Sequence, residues 1–151
     1  MKLRKIAAAV LAAAPVAAVL ALPTAQAHAA SYPTCNNTMT VTVNSVHYVK
    51  YPAYRFKNSA GYYQSTNRCI MGSGATGASV SAMQRAIVDC NYLEISVDGD
   101  YGPATKKAVE RMQRMYGLTD DGWYGPDTRD RMRWPAYNRS NDRLSGDCYN
   151  L

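Results

Sequence analysis

The stretch Val97-Asp98-Gly99-Asp100-Tyr101-Gly102-Pro103-Ala104-Thr105 returns as Asp120-Asp121-Gly122-Trp123-Tyr124-Gly125-Pro126-Asp127-Thr128, displaced by 23 residues (121 minus 98). The shared pattern is Asp-Gly-x-Tyr-Gly-Pro-x-Thr, and helix-type sequence follows each copy. A duplicated turn of this kind marks a repeated loop-into-helix unit. Each residue type has a local reason. The Asp carboxylate accepts backbone N–H groups in the turn, the following Gly supplies a positive φ, and Gly-Pro opens the next helix.

Helical periodicity extends outward from the two turns. Upstream, Gly72-Ser73-Gly74-Ala75-Thr76-Gly77 gives the backbone freedom to turn, and Val80, Met83, Ile87 and Val88 then share one helical face. This predicts a first helix ending near Cys90. A second follows Pro103, with Ala108, Val109, Met112 and Tyr116 as its apolar stripe and Gly117 at its C-terminal cap. A short third helix starts at Pro126, carries Met132 inward and is stopped by Pro135. The expected fold is therefore mainly α: a compact, disulfide-stapled three-helix bundle over residues 69–135.

Outside it, residues 30–68 are expected to form a short β or irregular N-terminal extension, and residues 136–151 a C-terminal tail tied by a disulfide. Within the extension, Thr38-Met39-Thr40-Val41-Thr42-Val43-Asn44-Ser45-Val46-His47-Tyr48-Val49 alternates and is β-branched, predicting a strand or hairpin half that Pro52 breaks. Residues 57–67 are rich in Ser, Asn, Gly, Gln and Tyr, which predicts a loop.

Residues 1–29 have the make-up of a secretory signal: Lys2, Arg4 and Lys5, then an apolar Ala-rich run over 6–22, then a small-x-small site at Ala27-His28-Ala29. The run is short and contains Pro15, so cleavage rather than membrane anchoring is expected. The chain has 17 basic and 11 acidic residues; the signal takes three basic ones, leaving 14 minus 11, or +3. Cations and carboxylates are interleaved along the helices, which disfavours nucleic acid as a partner and supports only mild attraction to anionic surfaces. Four cysteines in an exported chain imply two disulfides. Three pairings are open, and the expectation taken is Cys69 with Cys90 and Cys35 with Cys148.

The pattern Gly74-x-x-Gly77-x-x-Val80-x-x-Met83-Gln84-x-x-Ile87, Val97-Asp98-Gly99-x-Tyr101-Gly102-x-x-Thr105-x-x-Ala108-Val109-x-x-Met112-Gln113 and Gly117-Leu118-x-x-Asp121-Gly122-x-Tyr124-Gly125-x-x-Thr128 resembles the small three-helix peptidoglycan-binding module appended to many bacterial cell-wall hydrolases. The resemblance spans residues 72–133. Met83 and Met112 stand where the family more often has Leu and Phe, keeping an apolar role with softer packing. The cysteines outside the match resemble those of secreted actinobacterial relatives in which the module stands alone. The resemblance implies non-catalytic binding of peptidoglycan, through glycan strand or stem peptide, by a secreted or wall-associated protein without a cofactor.

Within the repeats, one position differs in a telling way: Asp100 in the first copy is Trp123 in the second. A site that takes both is solvent-facing, and sugar rings stack on exposed aromatic faces, so Trp123 is the leading ligand candidate. Tyr101, Tyr124, Arg111 and Gln113 complete the candidate set, although packing under the loops also accounts for the tyrosines, and bonding to a neighbouring turn also accounts for Gln84 and Gln113. Arg85, Arg111, Arg114 and Lys106 lie away from the apolar stripes, where they would meet stem-peptide carboxylates, anionic wall polymers or only solvent. A wall hydrolase is the competing reading. It has little to build on, because His47 is the sole histidine after cleavage, and a carboxylate pair would have to come from Glu94, Glu110 and the aspartates, with Glu110 reading as a surface helix residue. The Asp98 loop fails as an EF-hand because Val109 stands where Glu is needed. A module that inhibits or delivers another wall enzyme is the third reading.

Overall fold

The computed structural model describes residues 32–151, so the expected export signal lies outside the described residues. In chain order the elements are β1 (Asn37–Thr42), β2 (His47–Lys57), β3 (Tyr63–Thr66), α1 (Ala78–Asn91), α2 (Pro103–Met115), α3 (Pro126–Arg131), β4 (Arg133–Asn138) and β5 (Leu144–Asn150). The expectation of a mainly α bundle is overturned: the strands form an antiparallel sheet in the order β1-β2-β4-β5, with β3 on the far part of β2. α1 packs chiefly on β1, β2 and β4. Its buried residues, Ser79, Val80, Met83, Gln84, Ala86, Ile87, Cys90 and Asn91, form too broad a stripe for two short helices to cover.

Local chemistry sets the strand ends. Asn44 Oδ1 accepts the backbone N–H groups of Val46 and His47 at 2.9 and 2.8 Å, closing the β1–β2 hairpin. Asn58 does the same for Ala60 and Tyr62 between β2 and β3. Contrary to expectation, Pro52 does not break β2. On the edge away from β1, β2 pairs with β4 only through Val49 and with β3 only from Tyr54, so Pro52 falls in the gap between two ladders. Pro135 ends no helix either; it lies inside β4, opposite Cys148.

The helix boundaries follow backbone chemistry. α2 and α3 each begin at a Gly-Pro step. α2 ends in a Schellman arrangement, with Gly117 at φ 67° and the N–H of Leu118 donating to the Gln113 carbonyl at 2.9 Å.

The disulfides pair Cys35 with Cys69 and Cys90 with Cys148, correcting both expected bridges. The first clips the chain before β1 to the chain after β3. The second fastens the end of α1 to β5, so the C-terminal segment is a sheet strand rather than a tail. Between helices and sheet, Trp134 is fully buried, with its ring 5.9 Å from Tyr51 and 6.3 Å edge-on from Tyr124, in the same core as Met71, Met83, Met112 and Met132. Its indole N–H donates to the Arg129 carbonyl at 3.1 Å, satisfying the one polar atom that such burial would otherwise strand.

Candidate functional site

Both duplicated turns are built around a buried glutamine. Gln84 Nε2 lies 2.8 Å from Asp98 Oδ1, 2.9 Å from the Asp100 carbonyl and 3.0 Å from Thr105 Oγ1, while its Oε1 accepts the Gly99 N–H at 2.8 Å. Gln113 repeats the circuit with Asp121 (2.9 Å), the Trp123 carbonyl (2.9 Å), Thr128 (3.2 Å) and the Gly122 N–H (2.9 Å). Asp98 and Asp121 also accept the N–H two residues on, each at 2.9 Å. The backbone bond from Asp100 and then the Gln84 amide hold the Asp98 carboxyl below its ordinary range. Each Asp-Gly turn is thus fixed by a side chain from the preceding helix, which accounts for the spacing of Gln, Asp and Thr.

The segment over residues 69–77 straps the two turns together. Met71 and Tyr124 exchange both backbone hydrogen bonds at 2.9 Å. Further along, Gly74 N–H donates to Tyr101 (3.1 Å), Tyr101 N–H to Ala75 (2.9 Å) and Gly77 N–H to Gly99 (2.8 Å).

Each turn glycine is covered by the preceding helix: a Cβ on Gly99 would come within 2.8 Å of Ser81 Oγ, and one on Gly122 within 2.8 Å of Lys106 Cγ. The copies differ beside that contact. The second opens into a groove of about 330 Å³, lined by Trp123, Ile70, Leu118, Pro126, Asp121, Asp127 and Tyr32 among others. Its size suits a small ligand or one residue of a polymer. The indole of Trp123 rests on the backbone of Gly72, where a Cβ would approach the ring to 2.6 Å. Close approach to bare backbone fixes the ring's inner side, and 40% of the residue remains exposed.

The five residues singled out from the sequence divide here. Trp123, Gln113 and Tyr124 line the groove. Gln113 acts from beneath as the organiser of the turn, and the Tyr124 side chain is fully buried against Trp134. Tyr101 is fully buried and donates its hydroxyl to the Gly122 carbonyl at 2.9 Å, so it supports the groove from below. Burial first, then Asp121, raises the Tyr101 hydroxyl pKa, and burial likewise raises that of Tyr124. Arg111 is exposed on α2 and does not line the groove. Tyr32, Ile70 and Leu118 were not foreseen. Tyr32 and Ile70 are brought in by the pairing of Thr34 with Ile70 beside the Cys35–Cys69 bridge, a contact with no local sequence signal.

His47, the remaining candidate base, sits away from the groove, with Nδ1 3.1 Å from Tyr149 Oη and 3.6 Å from Asp147 Oδ2. Glu94 is exposed beyond α1. Among the described residues no helix is long and apolar enough to cross a membrane.

Comparison with known proteins bears on the same region. Residues 76–132 match the family model described as a putative peptidoglycan binding domain. The chain is 51% identical over 80 residues to N-acetylmuramoyl-L-alanine amidase CwlL of Bacillus licheniformis, covering 49% of this chain and 21% of that protein. It is 38% identical over 60 residues to the zinc D-Ala-D-Ala carboxypeptidase of Streptomyces albus G, covering 38% of this chain and 24% of that one. Among solved structures, the endolysin of Burkholderia AP3 phage aligns at 37% identity with a TM-score of 0.38, over 39% of this chain and 22% of that chain. The chain therefore spans a quarter or less of the length of these relatives.

Proposed function

We propose that this chain is a secreted, non-catalytic binder of bacterial cell-wall peptidoglycan, exported by the signal at residues 1–29 and acting through the groove at the second duplicated turn. The observation that carries the reading is Trp123: an indole seated on Gly72 from one side, open on the other, at the mouth of a groove with apolar and hydrogen-bonding walls. A sugar ring stacks its C–H face on such an aromatic, and its hydroxyl or acetamido groups donate to carboxylates such as Asp121 and Asp127. The match of residues 76–132 to a peptidoglycan-binding family model supports the same ligand. The relatives are named as an amidase and a carboxypeptidase, and they share with this chain only a minor part of their length.

In this reading Trp123 touches ligand, Gln113 and Tyr101 position the turn that carries it, and Tyr124 locks that turn to the core. Individual contacts are modest, and retention comes from rebinding on a dense polymer. Co-sedimentation of the signal-free protein with purified sacculi tests the proposal: wild type pellets and Trp123→Ala stays in solution. Release of dye from labelled peptidoglycan by the wild type, abolished in Glu94→Gln, would instead establish the hydrolase reading.

A further inference from the structure

All 11 acidic residues of the chain lie at or beyond Asp89. Residues 32–88 carry Lys50, Arg55, Lys57, Arg68 and Arg85 without a single carboxylate of their own. Two of these cations are matched from the later half, Lys50 by Asp142 and Arg85 by Asp89. Arg55, Lys57 and Arg68 have no carboxylate within ion-pair distance among the described residues. Asp130, near the end of this segment, is held by Arg129, which also donates to the Asn67 carbonyl.

The three cations are held in place by aromatic rings instead. Arg55 and Lys57 are two apart on β2 and so share a face, and Tyr63 of β3 pairs with Lys57. The Arg55 guanidinium lies 4.2 Å and the Lys57 ammonium 5.0 Å from the Tyr63 ring centroid. Arg68 sits 5.4 Å from the Tyr32 ring and donates to the Tyr32 hydroxyl at 2.9 Å. Ring contacts orient a cation while leaving its N–H groups for an anion, which lowers the ordering cost of binding. The backbone beneath is fixed too: Asn36 and Arg55 exchange side-chain and backbone bonds at 3.1 and 2.7 Å beside the Cys35–Cys69 bridge.

We propose that Arg55 and Lys57 on the β2–β3 hairpin form a second binding face, specific for a phosphodiester-bearing anionic polymer of the wall; Arg68, held on Tyr32, borders the Trp123 groove and is not part of this face. Arginine's forked donors match phosphate oxygens, and two cationic residues whose backbones are about 6.6 Å apart along a strand can engage successive charges of a flexible chain. The hairpin tip, Asn58-Ser59-Ala60-Gly61-Tyr62, offers no large aliphatic side chain to insert among lipid tails, which argues against a membrane surface. Only the choice of a wall polymer rests on the function proposed above; the electrostatic argument stands apart from it.

The test compares signal-free wild type with Arg55→Gln/Lys57→Gln on sacculi bearing their anionic polymers, on sacculi stripped of phosphodiesters by hydrofluoric acid, and on isolated poly(glycerol phosphate). Both residues are exposed, and a matching melting curve verifies that the double variant folds. Wild type is expected to bind intact sacculi roughly tenfold tighter than stripped ones at low salt, with a slope of log affinity against log salt steeper by about 1. The double variant is expected to lose that increment while binding stripped sacculi like wild type. Equal wild-type binding to intact and stripped sacculi, an increment retained by the double variant, or equally tight binding to anionic vesicles or single-stranded DNA would overturn the proposal. Trp123→Ala has the opposite signature, losing stripped sacculi and keeping poly(glycerol phosphate), so the two sites fail separately.

Discussion

The hydroxyl of Tyr101 donates to the carbonyl of Gly122 at 2.9 Å, so the tyrosine of the first duplicated turn holds up the glycine of the second. The repeats are therefore not independent copies. The reciprocal bond is absent, because the Tyr124 hydroxyl is buried without a partner among the described residues. One copy has become a support and the other carries the open face.

Tyr101→Phe removes that support while keeping the ring. The expected cost is about 1–2 kcal/mol, because a buried carbonyl loses its donor, with weaker sacculus binding on top. Urea unfolding combined with co-sedimentation checks both. Unchanged stability and binding would contradict the support role.

Gln84→Ala and Gln113→Ala each break a four-bond circuit and should cost about 2–3 kcal/mol in denaturant unfolding. Binding separates them. Loss of Gln113 should weaken sacculus binding more in the fraction that remains folded, because it holds the turn that carries Trp123, whereas Gln84 acts on the groove only through Tyr101.

Gly72→Ala places a methyl 2.6 Å from the Trp123 ring and must push the indole outward. Binding should fall by roughly tenfold, equivalent to about 1.4 kcal/mol. Trp134 is buried, so Trp123 accounts for the exposed tryptophan emission, and a red shift in the variant reports the displacement.

Stability should fall at both ends of the pH scale. Asp98 and Asp120 have lowered folded pKa values, through the Asp100 backbone bond and the Arg114 partner respectively, so their contribution is present above pH about 4 and is lost as pH falls through the folded values. Tyr101 and Tyr124 have raised ones, so theirs is complete below pH about 10 and is lost as pH rises towards the folded values. Melting temperature against pH should show both shoulders, and Tyr101→Phe should reduce the alkaline one.

Cys90→Ser/Cys148→Ser opens a bridge spanning 58 residues, which the chain-entropy account values at about 4 kcal/mol. Because the bridge fastens β5 to α1, hydrogen exchange should accelerate first in β4 and β5 and later in α2.

The duplicated turns, their glutamines and the helix starts were legible because each depends on residues within about 30 positions and on types with one local use: Gly for positive φ, Pro at the first helical residue, Gln for turn amides. The sheet was not. β4 and β5, Arg-Trp-Pro-Ala-Tyr-Asn and Leu-Ser-Gly-Asp-Cys-Tyr-Asn, lack the alternating β-branched pattern, and their pairing is set by β2 nearly 90 residues earlier and by the bridge to α1. The cysteine partners were equally hidden, since disulfide connectivity is a property of the tertiary fold. Trp123 was read as solvent-facing from the Asp-or-Trp contrast between repeats, and it stands at the surface. Its seat on Gly72 could not be foreseen, because nothing local marks a glycine as the partner of a ring 51 positions away (123 minus 72).

The strap at residues 69–77 makes any graft of this module a matter of more than its repeats. A segment trimmed to residues 76–132 would leave behind Met71, Gly72 and Trp134, and with them the seat of the indole and the pillar beneath Tyr124. A fusion meant to carry the grip of the groove to another enzyme has to take the chain from Tyr32 to Asn150 whole, both bridges included.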